Sequence, residues 1–272
     1  MIFLKIFLSL SGIAAILALI YFLVLLRPRK GNTPPAELLR NYAHRGLHSE
    51  GVPENSLAAF EAACKSGYGI ELDVQLSRDG EIMVFHDYLL GRMTDSNKKL
   101  SELDSGELKK LKLGGSQERI PTLDEVLDLV DRRVPLLIEL KGEDFNKDLC
   151  PKLAKRLETY GGQFCIESFN PLLVGEMKKL LPSAFCGLLY TNVCREKKKC
   201  SALNVAITMM ALNFIAKPDF IAYNKEDRNA LPVRVATRGY KATRFVWTVR
   251  SKDELDKAET LGELSIFEGV KN

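Results

Sequence analysis

The sequence predicts an α/β chain: a (β/α)8 TIM barrel with a small insertion after its second strand, preceded by one N-terminal transmembrane helix. Three observations carry this expectation. From residue 41 onward, short β-rich runs alternate with helix-length amphipathic segments, the pattern of parallel strands joined by crossover helices. In the second and third of these runs, acidic side chains share one strand face while the other is apolar. Finally, Ile6 to Leu26 contains no charged residue.

The N-terminal run is long enough, at about 1.5 Å per helical residue, to reach across a hydrocarbon core of about 30 Å. It reads as a single-pass anchor within a segment 1–30, followed by a linker 31–40 and the barrel domain 41–272. A cleaved signal peptide fits less well, because "RPRKGNTPP" offers no small-x-small cleavage site. Arg27, Arg29 and Lys30 outweigh Lys5 and the amino terminus, which favours a barrel domain on the cytoplasmic side of the membrane. Six cysteines without a framework spacing agree with a reducing compartment.

Eight strands follow: Asn41 to His44, Ile70 to Leu76, Pro135 to Lys141, Gln163 to Phe169, Ala184 to Thr191, Phe220 to Asn224, Arg244 to Val249 and Leu264 to Phe267. Glu81 to His86, entered through the "SRDGE" turn, adds an accessory strand after the second. Thr122 with Glu125 and Ser251 with Glu254 have the spacing of capping boxes. "NVAITMMALNFIA", residues 204–216, is too short to span a bilayer and suits a buried helix. "CREKKKC", residues 194–200, has neither a second cysteine pair nor a nearby histidine, so a solvated basic loop is favoured over a metal site.

With 39 Lys and Arg against 35 Asp and Glu spread along the chain, no nucleic-acid footprint stands out, and 46% hydrophobic residues suffice for a large core. The expected partners are a small molecule and a membrane.

Barrel enzymes place their chemistry at the carboxyl ends of the strands. In a barrel, Glu71 and Asp73 point inward, as do Glu139 and Lys141 of "PLLIELK", while "YAHRG" brings His44 and Arg45 to the same mouth. His86 joins them from the accessory strand. Three converging carboxylates repel one another unless a cation sits among them, and all-oxygen donors suit Mg2+ or Ca2+. Two histidines supply an acid and a base, and Arg45 and Lys141 suit an anionic substrate; together these groups suggest phosphodiester cleavage. Glu139 beside Lys141 is also compatible with a buried ion pair. Trp247 is either core or substrate wall, and Glu167 and Phe169 are candidate pocket residues.

At these residues the sequence resembles the glycerophosphodiester phosphodiesterase family. The matching pieces are "AHRG" at 43–46, "PENSLAAF" at 53–60, "GIELDVQLSRDGEIMVFHD" at 69–87, "LGRMT" at 90–94, "PTLDEVL" at 121–127, "IELK" at 138–141 and "WTV" at 247–249. The resemblance implies a (β/α)8 barrel with Glu71, Asp73 and Glu139 as metal ligands, His44 and His86 as the acid/base pair, and Arg45 and Lys141 as phosphate-binding cations. It also implies that residues 88–119 form a small insertion over the mouth. Family members hydrolyse glycerophosphodiesters to sn-glycerol 3-phosphate and an alcohol, with the neighbouring glycerol hydroxyl assisting. Two departures from the family stand out: Phe267 and Glu268 occupy the place of a usual Thr-Asp pair, and Arg250 stands where Asn is common. Two alternatives accompany this reading: a lysophospholipase D-type activity on membrane lysophospholipids, and a non-catalytic membrane-anchored binding protein.

Overall fold

The computed structural model describes residues 2–29, 33–142 and 148–270, and only the backbone of residues 2–6 and 8. Lys30 of the expected basic flank, Gly31 and Asn32 of the linker, and Lys271 and Asn272 of the barrel domain lie outside the described residues. The strands are β1 Tyr42–Ala43, β2 Gly69–Leu76, β3 Ile82–Val84, β4 Leu136–Leu140, β5 Phe164–Ser168, β6 Phe185–Tyr190, β7 Phe220–Asn224, β8 Thr243–Val249 and β9 Leu264–Phe267. All except β3 are parallel, and β1 pairs with both β2 and β9, closing the sheet into a barrel. β3 lies antiparallel on β2. The eight expected barrel strands and the accessory strand are thus all present.

The helices are α1 Ile2–Ile20, α2 Leu57–Ser66, α3 Ser105–Leu108, α4 Leu123–Val130, α5 Leu149–Glu158, α6 Pro171–Leu180, α7 Val193–Glu196, α8 Ala202–Thr208, α9 Asn213–Ala216, α10 Leu231–Arg234 and α11 Lys252–Thr260. Local chemistry sets their starts. The Ser56 hydroxyl accepts the Ala59 amide at α2, and Thr122 and Glu125 form a reciprocal capping box at α4. The second expected box is only half formed: Ser251 accepts the Glu254 amide, but the Glu254 carboxylate turns to the Arg250 amide and to Lys225.

Strand alternation divides the barrel. Ile70, Leu72, Val74, Leu136, Ile138 and Leu140 face outward into the layer under α2, α4 and α5. Inside, the lower half is apolar, with Leu38, Tyr42, Leu137, Phe185, Phe220 and Phe245 packed together. Gly187 makes this possible, because a Cβ there would lie 2.1 Å from the Phe220 ring. Continuing two residues up the strands, Leu137 gives way to Glu139 and Cys165 to Glu167, so the carboxylates sit directly above a sealed floor. Residues 88–119 carry a small core of their own, in which Leu90, Leu100, Leu108 and Leu113 pack with Met83 and Phe85.

Two expectations are corrected. Residues 204–216 do not form one buried helix: α8 and α9 are separated by a turn at Met209–Leu212, and Leu203, Val205 and Phe214 are exposed. The second concerns the expected span Ile6 to Leu26. Among the described residues no helix is long and apolar enough to cross a membrane. The regular helix ends at Ile20, and the chain winds through a wider π-type turn, Tyr21–Leu25, onto the barrel wall. There the Tyr21 hydroxyl donates to the Met209 carbonyl, Tyr240 donates to the Phe22 carbonyl, and the Asn213 amide donates to the carbonyl of the fully buried Leu26. The last part of the apolar run therefore belongs to the globular core.

Candidate active site

β2 supplies Glu71 and Asp73, β4 supplies Glu139, and the three offer oxygens that lie within 4.8 Å of one another, all buried. Around them the backbone takes conformations that ordinary residues avoid. Arg45 has φ 56° and Asn55 φ 53°, and the Arg45 amide thereby donates to Glu71 Oε2 at 2.8 Å. Gly46 follows at φ 81°, where a Cβ would lie 2.9 Å from Ala59 and Phe60. Asn55 Nδ2 donates to Asp73 Oδ2 at 2.8 Å.

The cations are engaged by the carboxylates. Lys141 Nζ lies 2.8 Å from Asp73 Oδ1 and 2.7 Å from Glu139 Oε1. Arg45 lies 2.7 Å from Glu54 and 3.5 Å from Asp73. Two positive side chains face four buried carboxylates, since Glu167 is also 1% exposed and its Oε2 has no hydrogen-bond partner. The imbalance shows in the proton affinities. Burial, then Asp73 and Glu139, pushes Glu71 well above the usual carboxylate range, and burial pushes Glu139 up to about 7. Burial and the neighbouring Glu71 and Glu139 likewise raise Glu167. Burial also works against the charged form of Asp73, but Lys141, His86 and Arg45 outweigh it and hold Asp73 below its ordinary value. A hard divalent cation fits this donor set: it would be held by Glu71, Asp73 and Glu139 and would offset the negative charge that protons otherwise neutralise.

Both histidines reach this centre, each with a carboxylate at its Nδ1. His44 Nδ1 is 3.3 Å from Glu268 Oε2, and its Nε2 is 4.0 Å from Glu71 Oε2. His86 Nδ1 is 2.5 Å from Asp87 Oδ1, whose second oxygen is 2.5 Å from Arg92 Nε. Burial lowers the affinity of both imidazoles for a proton. Gln75, the next inward residue of β2, donates to the carbonyls of Phe85, His86 and Asp87 and fixes the loop that presents His86. Trp247 stands half-buried in the cavity wall, its indole N–H on the Ala222 carbonyl and its ring edge-to-face with Phe169 at 5.8 Å.

Sequence reasoning gave no site role to Glu54, Asn55, Asp87 or Arg92, although "PENS", "FHD" and "LGRMT" contain them. Their place depends on loops that fold over the mouth, for which strand alternation offers no signal. Glu268, noted there only as a departure, is the carboxylate on His44.

A closed parallel barrel whose mouth gathers carboxylates, two carboxylate-bound imidazoles and two cations defines a barrel hydrolase of phosphoric diesters. Residues 44–267 match the glycerophosphoryl diester phosphodiesterase family, and the chain belongs to that family. It is 34% identical over 226 residues to a glycerophosphodiester phosphodiesterase of Caldanaerobacter subterraneus subsp. tengcongensis, covering 79% of this chain and 87% of that one. A glycerophosphodiester phosphodiesterase of Bacillus subtilis is 28% identical over 262 residues, covering 88% and 86%. The fold is similar to that of an Oleispira antarctica phosphodiesterase solved in complex with the product sn-glycerol-3-phosphate, with TM-score 0.70, 24% identity, and 84% and 92% of the two chains covered. Membership makes the protein an enzyme and sets aside the purely binding alternative.

Proposed function

We propose that the protein hydrolyses glycerophosphodiesters to sn-glycerol 3-phosphate and an alcohol, with Mg2+ or Ca2+ held by Glu71, Asp73 and Glu139 and with His44 and His86 as the acid/base pair. The observation that carries this reading is the symmetry of the two imidazoles. Each has Nδ1 on a carboxylate, which leaves Nε2 available for proton transfer in the cavity that both rings line. One Nε2 takes the proton of the glycerol hydroxyl as its oxygen bonds to phosphorus. The other gives a proton to the departing alcohol oxygen as the phosphorus–oxygen bond breaks. Water then opens the cyclic phosphate with the two roles exchanged. Arg45 and Lys141 bring positive charge to the phosphate, and Trp247 walls the pocket. A bound divalent ion would supply the positive charge that the phosphoryl oxygens require.

The test is product analysis by mass with glycerophosphocholine, with the divalent ion present or chelated. Release of sn-glycerol 3-phosphate that stops on chelation is the expected result; release of phosphocholine, or full turnover in excess chelator, overturns the reading.

A second reading, release of lysophosphatidic acid from lysophospholipids, is favoured by one feature. The catalytic cavity, about 480 Å³, adjoins a cleft of about 810 Å³ bordered by Tyr88, Leu89, Leu140 and Phe169, and both reach His86, Glu139 and Lys141. Such a cleft has room for an apolar chain beyond the phosphate. In either reading α1 attaches the enzyme to a membrane. This is supported by the exposed Phe7, Leu10, Ile13, Ile16 and Leu17 along a helix without charge after Lys5.

A further inference from the structure

We infer that the catalytic mouth itself is turned toward the membrane and that the rim formed by residues 197–205 docks on anionic phospholipid head groups. The inference rests on the membrane attachment just proposed and adds to it an orientation and a contact surface.

The direction comes from the path of the chain after α1. Met209 lies at the level of the upper barrel, because Tyr190, near the carboxyl end of β6, donates its hydroxyl to the Thr208 carbonyl. Tyr21 bonds to Met209, Leu26 to Asn213 farther down α9, and the Arg29 amide to the Pro218 carbonyl, just before β7 begins at the barrel floor. Residues 21–29 therefore run down the wall from mouth to floor. α1, which continues directly into this segment, rises on the mouth side. At about 1.5 Å per residue its 19 residues extend about 28 Å in that direction.

The rim on the same side is built for lipid. α8 is inverted: Asn204 is 8% exposed while its neighbours Leu203 and Val205 are 53% and 44% exposed. Leu231, at the start of α10 on the same rim, is 52% exposed. Immediately before α8, Lys197, Lys198 and Lys199 are exposed and enter no ion pair among the described residues, whereas the neighbouring Arg195 is held by Asp227. Apolar side chains flanked by free ammonium groups match the boundary between acyl chains and anionic head groups. By contrast, Arg29 of the basic flank after α1 bonds to Pro182 and faces Asp219 at the floor, away from such a surface.

The test places an environment-sensitive thiol label on full-length protein in which Cys64, Cys194 and Cys200 are serine, either at Leu203→Cys on the rim or at Ser183→Cys on the floor. The protein is mixed with phosphatidylcholine vesicles with or without phosphatidylglycerol and with spin-labelled lipid as quencher. The expected result is quenching at 203, stronger with phosphatidylglycerol, and none at 183. Replacing Lys197, Lys198 and Lys199 together by Gln should remove the phosphatidylglycerol advantage, about fivefold per lysine in the rim's contribution to partitioning, while leaving turnover of soluble glycerophosphocholine unchanged. Protein that binds vesicles but is quenched at 183 rather than 203, or equally at both, overturns the orientation alone. Failure to sediment with either vesicle overturns the attachment and the orientation together.

Discussion

Glu268 Oε2 sits 3.3 Å from His44 Nδ1 and 3.1 Å from an Arg250 guanidinium nitrogen. Two of the residues read as departing from the family, Glu268 and Arg250, thus meet in one chain of contacts on the His44 imidazole. The bond to His44 holds the Glu268 carboxyl down to about 2, so the pair behaves as an oriented dyad.

Removing that carboxylate should cost turnover without costing substrate affinity. For Glu268→Gln, kcat is expected to fall while KM changes little; Arg250→Ala should do the same more weakly. Steady-state kinetics on glycerophosphocholine decide this, and an unchanged kcat for Glu268→Gln would leave the contact merely structural.

His44→Ala and His86→Ala should each lower kcat by about a hundredfold or more. With the two imidazoles in the proposed acid and base roles, the double variant should lose much less than the product of the single losses. Strictly multiplicative losses would separate their roles.

Gln75→Ala leaves both imidazoles in place but frees the loop that three carbonyl contacts hold. Turnover should drop at nearly constant metal affinity, and restoration by Gln75→Asn or Gln75→Glu should be incomplete, since neither reproduces all three contacts. Normal kcat in Gln75→Ala would show that His86 is positioned by Asp87 and Arg92 alone.

Metal binding and pH should be linked with a defined sign. Glu139 is pushed up to about 7 from the ordinary 4.5. Between these values the folded metal-free protein retains a proton that the unfolded chain has released, so its stability falls as pH rises through that window. A divalent ion held by Glu139 would compete with the same proton. The rise in Tm on adding Mg2+ or Ca2+ should therefore grow from about pH 5 to about pH 8. It should be largely lost in Glu139→Gln, and a pH-independent rise would argue for an ion-pair role only.

Burial lowers both imidazoles, so each stays neutral to a more acidic pH than a free histidine. The acid limb of kcat/KM, which reports the free enzyme, is expected below the ordinary value of about 6.5. A limb above that value would mean that neighbouring carboxylates, not burial, dominate.

The barrel was legible because β2 and β4 alternate so cleanly: Ile70, Leu72 and Val74 could only go outward and Glu71, Asp73 and Glu139 only inward. The same logic misled at residues 204–216, where an apolar composition pointed to burial although Asn204 and Asn213 are buried alongside Met210 and Ala216 while Val205 and Phe214 are exposed. Hydropathy also could not reveal that one uncharged run is divided between two surroundings, with Leu26 sealed in the core and Ile20 exposed. Asn55 and Asp87 were hidden for another reason. Their roles arise from loop conformations and partners across the mouth, and no local period encodes those.

The seam between β1 and β9 gives the enzyme an order of assembly. Tyr42 pairs with Ile266, the His44 amide donates to the Phe267 carbonyl, and Glu268 is the next residue. During synthesis His44 emerges early and waits for nearly the whole chain before its carboxylate exists. Such a distant pairing is entropically slow to form. Glu71, Asp73 and Glu139 lie on the neighbouring strands β2 and β4, whereas the His44–Glu268 contact is made only with the closing of the ring.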